Sequence, residues 1–323
     1  MKAGIIGGAG YIGSHVVLEL LQAGHEVLIL DDLSSGNLIN VPRNPSVSFM
    51  EGDFTDPVVL AGFLSRGPEV IFHFAAAKAA GESMLVPEKY SRQNIRGTLQ
   101  LLEQMQETPC RHFVFSSTAA VYGNPQRMPV DETHPRQPEN YYGFTKLVIE
   151  DQLAWLSRLR GLHYAALRYF NAAGYDPAGR IRGLEKNPAN LMPVLMEVAT
   201  GARSQFEIFG TDYGTPDGTC IRDYIHVSDL ARAHVLAMDF IVGKNENLLV
   251  NLGTEQGLSV LEIYQAACEV VGRTLPVVYA GRRPGDPEQL IASSRKAREL
   301  LGWEARIKDP RDFLKSMWQV YAS

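Results

Sequence analysis

The first thirty residues contain an apolar segment, a glycine-rich turn and a second apolar segment in close succession. Residues 3–6 are largely apolar and are followed at once by Gly7, Gly10 and Gly13. Glycines at this spacing are typical of a turn that joins a buried strand to a helix and lets a pyrophosphate approach the backbone. Residues 16–21 are mostly apolar and suit a helix packed on a sheet. The sequence therefore predicts a phosphate-binding strand–turn–helix unit.

The second apolar segment, residues 25–30, is followed by two aspartates. Asp31 lies 18 positions after Gly13, close to the separation at which an acid hydrogen-bonds adenosine ribose hydroxyls. A carboxylate there repels a 2′-phosphate, which favours NAD over NADP. A glycine-rich turn alone also marks ordinary turns, but the ordered strand, turn, helix, strand and acid predict a Rossmann-type, doubly wound parallel α/β sheet. The cofactor contacts predicted in this segment are Gly7, Gly10, Tyr11, Ile12, Gly13, Asp31 and Asp32.

The overall composition is that of an ordinary globular protein. The chain has 323 residues, of which 45% are hydrophobic and 21% charged, and a net charge of −5. This negative balance argues against a nucleic-acid or anionic-membrane surface, and no apolar run is long enough to span a bilayer. Three scattered cysteines predict neither a disulfide scaffold nor a zinc site, so we expect no metal and a reducing cytoplasm. We expect a Rossmann domain over residues 1–170 and a smaller mixed α/β domain over residues 171–323, with segments that interleave.

Two later strand ends are expected to line the cofactor cleft. Residues 47–50 read as a strand that leads to Asp53, whose carboxylate is placed either to accept from the adenine amine or to cap a surface helix. Residues 70–74 read as a strand that leads to small residues and Lys78, and small residues let a ligand approach closely. The cofactor contacts predicted here and on the following helix are Asp53, Phe54, Phe74, Ala75, Ala76, Lys78 and Asn94.

Hydroxyl-bearing side chains and a lysine form the candidate catalytic group. Ser117 and Thr118 follow a predicted strand at residues 113–115, where the ordinary alternative is a turn or helix cap. Tyr142 and Lys146 are four positions apart, so both project from one helical face, although this pair also occurs by chance in many helices. A neighbouring ammonium and a positive nicotinamide ring would lower the tyrosine pKa from near 10, so that Tyr142 acts as a base. In the context of a Rossmann turn, these residues predict a catalytic site.

These motifs together resemble the extended short-chain dehydrogenase/reductase superfamily, most of whose members act on nucleotide sugars. Within it, the chain resembles the UDP-glucose 4-epimerase family from end to end. The resemblance implies a tightly held NAD, a UDP-sugar substrate and a homodimer formed through helices at 91–106 and 142–160. The matching segments are 73–83, 168–171, 190–193, 208–213, 217–226, 251–253 and 282–286.

The resemblance also implies a UDP-sugar cradle in the second half of the chain. Arg222 and Arg283 would bind the diphosphate, which planar guanidinium groups bind bidentately. Phe209 and Tyr224 would border the uracil, and Asp286 would accept from ribose hydroxyls. The ordinary alternatives are a surface ion pair of Arg222 with the adjacent Asp223 and a core position for Phe209. The implied substrate contacts are Lys78, Thr118, Tyr142, Asn171, Asn190, Leu191, Phe209, Arg222, Tyr224, Val260, Arg283, Asp286 and Leu290, and the further cofactor contacts are Ser116, Tyr142, Lys146 and Tyr169.

The reaction implied by the resemblance is the interconversion of UDP-glucose and UDP-galactose. Tyr142 would remove the proton of the sugar 4-hydroxyl while hydride leaves C4 for NAD, Ser117 and Thr118 would bind the sugar oxygen, and Lys146 would bind the nicotinamide ribose. Residues 118–120 lack the acids that follow this threonine in nucleotide-sugar dehydratases and decarboxylases. The 4-keto sugar is therefore expected to rotate and take the hydride back on its opposite face.

Two alternatives stay open at this point. Leu290 is intermediate in bulk between the residues of strict glucose/galactose enzymes and those of enzymes that accept N-acetylated sugars, so UDP-N-acetylhexosamines are a second substrate class. A non-catalytic NAD sensor is the other alternative, although such members typically lack the pair that Tyr142 and Lys146 form here.

Overall fold

The computed structural model describes residues 1–186, 188, 190–283 and 286–323, which form three sheets with flanking helices. A π-helical segment, Ser91–Gly97, joins the helices Pro87–Tyr90 and Thr98–Gln106 into one continuous helix. The strands are β1 (Lys2–Ile6), β2 (Glu26–Asp31), β3 (Val47–Glu51), β4 (Val70–His73), β5 (His112–Thr118), β6 (His163–Tyr169), β7 (Asn171–Ala173), β8 (Phe206–Phe209), β9 (Ile221–His226), β10 (Leu248–Leu252), β11 (Gly257–Ser259), β12 (Val277–Ala280) and β13 (Gln289–Leu290). The α-helices are α1 (Tyr11–Gln22), α2 (Pro57–Leu64), α3 (Ala80–Ser83), α4 (Pro87–Tyr90), α5 (Thr98–Gln106), α6 (Tyr141–Arg160), α7 (Leu191–Thr200), α8 (Val227–Lys244), α9 (Val260–Val271), α10 (Arg295–Leu301) and α11 (Pro310–Tyr321).

The largest sheet has seven parallel strands in the order β10-β6-β5-β4-β1-β2-β3. Its strands read as continuous apolar runs because helices cover both faces. One buried cluster joins α1 and α8 to the sheet, and another joins α2, α5 and α6 to the opposite face. The strand order reverses between β1 and β4, and ligands of such sheets bind beyond the carboxyl ends of the strands at this reversal. The predicted Rossmann-type fold is confirmed.

The second half of the chain contributes to this sheet and also forms a smaller unit. The edge strand β10 pairs with β6, and α8 packs against α1. The two remaining sheets contain β7, β9, β11 and β13 in one and β8 and β12 in the other. Helices α7, α9 and α11 share a separate buried cluster with residues of these strands. Residues 227–252 therefore lie after the predicted boundary at residue 170 but pack on or join the large sheet.

Strand β5 extends further than the apolar pattern indicated. It continues through Thr118 and pairs with β6 as far as Tyr169, so the three hydroxyl residues lie within the strand instead of after it. Successive side chains of a strand point to opposite faces.

In the described residues, no helix is long and apolar enough to cross a bilayer, and no group of three His, Cys, Asp or Glu residues is placed to hold a metal ion.

Candidate active site

The glycine-rich turn brings α1 into close contact with the end of β1. Gly7 has a φ of +87°, and a Cβ there would lie 2.8 Å from the Ala75 nitrogen. A Cβ on Gly13 would lie 2.1 Å from the Gly7 carbonyl oxygen, so only glycine allows this approach. Gly10 is the N-cap of α1 and supplies no capping side chain. The first N–H groups of α1 are therefore available to an anion, which fits the pyrophosphate of NAD.

The Asp31 carboxylate lies at the end of β2, beside this turn. It accepts hydrogen bonds of 2.9 Å from the backbone N–H groups of both Ala9 and Leu33. Burial raises the pKa of Asp31, and these hydrogen bonds oppose the rise. Asp32 instead accepts from the backbone N–H and the hydroxyl of Ser34. Asp31 thus stabilises the turn and presents an acid next to it, which fits the adenosine ribose.

Residues 11 and 12 of the predicted cofactor set have structural contacts of their own. The buried Tyr11 hydroxyl donates a 2.5 Å hydrogen bond to the Gly174 carbonyl and so ties α1 to the loop that follows β7. Ile12 is partly buried and packs against the core of the large sheet. Both lie in the first turn of α1, where their backbone N–H groups are among the free donors.

The ends of β3 and β4 place the next predicted residues along the same sheet edge. Asp53 accepts a 2.8 Å hydrogen bond from the Thr55 backbone, and Phe54 is buried with its ring centre 5.1 Å from that of His73. The Phe74 ring lies 5.0 Å from that of His234. The N–H groups of residues 74 and 75 both donate to the Ile6 carbonyl, and Ala76 continues the chain past this point, partly buried.

Asn94 and Lys78 lie just beyond the end of β4. The buried Asn94 amide accepts from the Ala77 N–H and donates to the Ala77 carbonyl, both at 2.9 Å, and also donates to the Thr145 hydroxyl. It therefore holds the backbone at the cleft against α6. Lys78 forms an ion pair with Glu185, an acid that the sequence reasoning did not single out.

The structure brings Tyr142, Lys146, Thr118 and Ser116 together where β5 meets α6. Asn140 caps α6 by accepting from the Gly143 N–H at 2.9 Å. Lys146 is buried, and its Nζ donates a 2.9 Å hydrogen bond to the Ser116 carbonyl. The Ser116 hydroxyl bonds to the phenol of Tyr169 on β6.

Burial dominates the ionisation of the two candidate catalytic groups. It raises the pKa of Tyr142 well above its ordinary value, and the nearby Thr118 hydroxyl only partly offsets this. It lowers the pKa of Lys146 to about 7, and the Glu150 carboxylate opposes that shift. Removal from water penalises the phenolate more strongly than its protein neighbours stabilise it, so the protein groups alone do not lower the Tyr142 pKa. The lowering expected from a bound nicotinamide ring stays a prediction.

The hydroxyl of Ser117 does not join this group, because it donates a 2.5 Å hydrogen bond to Glu150. Glu150 also pairs with Arg168, at 2.9 Å from Nε and 2.5 Å from Nη2, and both side chains are 1% exposed. Neither Glu150 nor Arg168 was predicted as a functional residue from the sequence. Two features of the sequence indicate this cluster. Glu150 continues the four-residue spacing of Tyr142 and Lys146 on α6, and the Ser117 side chain must face the opposite side of β5 from those of its two sequence neighbours.

The predicted diphosphate and uridine residues lie on the smaller sheets. The Nη2 of Arg222, on β9, lies 3.5 Å from the Asp286 carboxylate, which is itself a predicted substrate contact. The alternative partner, the adjacent Asp223, instead accepts hydrogen bonds from the backbone N–H groups of Thr254 and Glu255. Leu290 is opposite Arg222 in the register of β9 and β13. The Arg283 guanidinium lies 3.7 Å from the centre of the Phe209 ring, at the end of β8. Pro284 and Gly285 of the matching segment 282–286 lie outside the described residues.

The other predicted substrate residues lie around β9 or at helix starts. Asn171 pairs with the buried Tyr224 in the register of β7 and β9, and its side chain donates a 2.8 Å hydrogen bond to the Asp223 carbonyl. Asn190 is the N-cap of α7 and Leu191 is its first residue. Val260 begins α9, and its N–H bonds to the Cys220 carbonyl. The binding roles of all these residues stay predictions.

The family model for NAD dependent epimerase/dehydratase proteins matches residues 3–253. This match covers the glycine-rich turn, the Tyr142–Lys146 pair and Arg222. The chain belongs to the NAD dependent epimerase/dehydratase family. The free N–H groups of α1 and the acid beside them agree with the NAD dependence of this family.

Individual members of the NAD dependent epimerase/dehydratase family resemble the chain over nearly its whole length. A UDP-glucose 4-epimerase of Streptococcus mutans is 43% identical over 99% of this chain and 96% of its own. A crystal structure of UDP-glucose-4-epimerase from Stenotrophomonas maltophila, with bound NAD and formylated UDP-arabinopyranose, has a TM-score of 0.95 at 41% identity and covers 100% of this chain and 98% of its own. The UDP-Glc/GlcNAc 4-epimerase of Campylobacter jejuni has a TM-score of 0.87 at 39% identity, over 99% of both chains.

Proposed function

We propose that this protein interconverts UDP-glucose and UDP-galactose by NAD-dependent inversion of the sugar at C4. The observation that carries the proposal is the partly buried Tyr142 with the buried Lys146 beside Thr118, at the same sheet edge as the anion-binding turn that follows β1. The near full-length similarity to UDP-glucose 4-epimerases supports the substrate. The sensor alternative has less support, because the acid–base pair is intact.

NAD, when bound, supplies an acceptor that takes hydride from C4 and returns it. The free N–H groups at the start of α1 would hold its pyrophosphate, and Asp31 its adenosine ribose. Lys146 would donate to the nicotinamide ribose, while the Ser116 carbonyl keeps the ammonium in position. These contacts would retain NAD through many turnovers.

Tyr142 would accept the proton of the sugar 4-hydroxyl during oxidation and return it after the 4-keto sugar has rotated in the site. Burial opposes the phenolate, so the reaction needs positive charge nearby, which Lys146 and a cationic nicotinamide would contribute. Thr118 is close enough to the phenol to lower its pKa and would also hold the sugar oxygen. Ser117 is bonded to Glu150 and is better assigned to supporting β5 than to binding sugar.

The diphosphate and uridine would bind on the smaller unit. Arg222 and Arg283 would bind the phosphates, with Phe209 bordering the uracil. Because Arg222 pairs with Asp286 and Arg283 stacks on Phe209, both guanidinium groups are already oriented. Such ordering lowers the entropy lost on binding. We assign this cradle to residues 171–323, except for the part of the chain, 227–252, that packs on or joins the large sheet.

UDP-N-acetylhexosamines are a second candidate substrate class. Leu290 is only partly buried and packs against a small buried cluster that includes Tyr122 and Val130. The side chain of leucine is smaller than that of tyrosine. With the diphosphate and uridine bound as proposed, it leaves room beside the sugar. The Campylobacter jejuni protein, whose printed name includes both UDP-Glc and GlcNAc, supports testing this class.

We also infer a homodimer formed through α5 and α6. Phe144, Trp155 and Leu159 lie along one face of α6 and are 43%, 56% and 66% exposed, and Leu99 on α5 is 37% exposed. Burying such a stripe against a second copy removes apolar surface from water.

A cytoplasmic location and a role in galactose metabolism complete the proposal. The three free cysteines support the location, and the proposed substrates support the metabolic role.

The experiment that tests this function uses the purified protein without added cofactor. The protein is denatured and its released nucleotide is identified. In parallel, UDP-galactose and UDP-N-acetylgalactosamine are each supplied to the native protein. Released NAD or NADH together with formation of UDP-glucose is the expected result. Retained NAD without conversion of UDP-galactose or UDP-N-acetylgalactosamine would contradict the proposal and favour the sensor alternative. Similar rates on both substrates would establish the broader specificity.

A further inference from the structure

Glu150 is a buried carboxylate that lies one helical turn beyond Lys146. Tyr142, Lys146 and Glu150 follow one another at four-residue intervals on α6, so they share a face of the helix. The lysine and the glutamate are both buried. The ammonium of Lys146 donates to a neutral carbonyl, that of Ser116. A buried charge bonded only to neutral groups is costly unless an opposite charge lies nearby.

The carboxylate of Glu150 also connects α6 to two neighbouring strands. Ser117 on β5 and Arg168 on β6 are directly opposite in the sheet register, and both donate to Glu150. The residues next to them in sequence, Ser116 and Tyr169, bond to each other through their hydroxyls at the cofactor side. The position of Glu150 is therefore coupled to the strand ends that carry the candidate catalytic groups.

Arg168 is held by a second set of contacts. Its Nη1 donates a 2.8 Å hydrogen bond to the Tyr122 hydroxyl, which donates in turn to Asn251 at 2.6 Å. Arg136 approaches Glu150 to 3.7 Å but bonds more closely, at 2.8 Å, to the half-exposed Asp151. Glu150 is thus fixed from three directions and cannot move away from Lys146 without breaking buried hydrogen bonds.

The groups around Lys146 and Glu150 differ in whether their charge varies near neutral pH. Arginines stay charged. Burial keeps His73 neutral by lowering its pKa to about 3, and keeps Tyr169 protonated by raising its pKa to about 12. Lys146 changes its charge in this range, because burial lowers its pKa to about 7. The charged or titratable groups that face the pair are Arg168, Tyr164 and Tyr169 from β6, His73 from β4, Arg136 and Glu132 from the segment between β5 and α6, and Tyr142 and Asp151 from α6 itself.

We propose that Glu150 is a positioning residue of the active site, whose fixed negative charge keeps Lys146 in its ammonium form and in place for the cofactor and for Tyr142. This inference rests on the proposed function for its catalytic consequence. Its physical basis, a buried acid that compensates a buried ammonium, is independent of which sugar is used. Loss of the acid should release the proton of Lys146 at lower pH, so that cofactor binding and turnover both fail earlier as pH rises.

The test compares three variants of the full-length protein as purified. Glu150→Gln removes the charge but leaves Arg168 unpaired in the interior, which endangers folding. Glu150→Gln/Arg168→Gln removes the buried pair together and keeps the local net charge. Asp151→Asn is the matched control, because Asp151 is the adjacent acid, binds the same Arg136 and is half exposed. Two quantities are measured against pH: the NAD retained after gel filtration, and kcat and KM for UDP-galactose.

In Glu150→Gln the alkaline fall in NAD retention and in kcat should move to lower pH by about one unit, with KM changed less than kcat. In the double variant the fall should move in the same direction but by less, because the opposing charge of Arg168 is removed as well. Asp151→Asn should keep the wild-type profile. A double variant with wild-type profiles would overturn the proposal and leave Glu150 as the partner of Arg168 alone. If Glu150→Gln does not fold, the double variant decides. NAD retention still tests the charge effect if the wild-type protein does not epimerise UDP-galactose, a result that would count against the proposed function only.

Discussion

The Lys146 ammonium lies 5.9 Å from the centre of the Tyr142 ring, one helical turn away on α6. The ammonium donates to the Ser116 carbonyl, and the hydrogen bonds described for Lys146 and Tyr142 do not include one between these two side chains. The two groups therefore interact through their charges within a buried site. Changing either one should have effects that separate proton transfer from binding.

Replacing Tyr142 with phenylalanine should lower kcat by at least about 100-fold, because the ring remains while the proton acceptor is lost. NAD should be retained, since the glycine-rich turn and Asp31 are unchanged. The measurement is kcat for UDP-galactose together with the NAD content. Tyr141→Phe, which removes the adjacent hydroxyl bonded to Ser91, is the control and should keep its activity. A Tyr142→Phe enzyme with near wild-type kcat would show that another group accepts the proton.

Lys146 should make the stability of the protein depend on pH in a defined window. Its pKa is about 7 in the folded protein against an ordinary value of 10.5, so between these values the unfolded chain binds the extra proton. The free energy of unfolding therefore gains up to about 1.4 kcal/mol per pH unit from this group as pH rises through the window. Below pH 7 the buried ammonium destabilises the fold in full.

The check is urea unfolding of wild type and Lys146→Met across this range. Other titrating groups are shared, so they cancel in the difference between the two proteins. Lys146→Met should be the more stable relative to wild type below pH 7 and should lose that advantage toward pH 10. A difference that does not vary with pH would mean that the folded and unfolded pKa values of Lys146 are alike.

Asp31→Asn should weaken NAD binding by about tenfold and narrow the preference for NAD over NADP. The amide removes the negative charge that repels a 2′-phosphate and weakens the hydrogen bonds from Ala9 and Leu33. Bound nucleotide is measured after incubation with each cofactor. Glu51→Gln is a matched control, because Glu51 is the exposed acid opposite Asp31 on β3. Unchanged NAD binding in Asp31→Asn would place the ribose contact elsewhere.

Arg283→Lys should raise KM for UDP-galactose about tenfold with little change in kcat. Lysine keeps the charge but loses the planar group that lies on Phe209 and binds a diphosphate bidentately. Arg282→Lys serves as the comparison, since Arg282 is the neighbouring arginine and is instead bonded to Asp212. Equal effects of the two substitutions would indicate a general charge effect and no specific role for Arg283.

Leu290→Ser should increase turnover of UDP-N-acetylglucosamine relative to UDP-glucose, because the smaller side chain enlarges the space beside the sugar. Leu290→Tyr should have the opposite effect. The ratio of kcat/KM for the two substrates is the measurement. If neither variant changes this ratio, Leu290 lies away from the C2 substituent.

The elements around the cofactor cleft could largely be predicted from the chain itself. Gly7 and Gly13 mark places where a Cβ would collide with neighbouring backbone. Such a steric limit is visible in the sequence because glycine is the one residue type without a Cβ. The four-residue spacing of Tyr142 and Lys146 places them on one helical face whatever surrounds the helix. Strand β5 was predicted too short, because the prediction followed the apolar run and ended where Ser and Thr begin. Residues 116–118 nevertheless pair with β6.

The order of the elements, the glycine-rich turn and the faces on which side chains lie can be read from residue order, because these features depend on local geometry. The bond of Ser117 to Glu150 and the ion pair of Lys78 with Glu185 become visible in the folded protein alone, since these partners are 33 and 107 positions apart. Burial in the folded protein also raises the pKa of Tyr142 and lowers that of Lys146. Solvent removal and long-range partners arise from the packing of distant segments, and no short stretch of sequence encodes them.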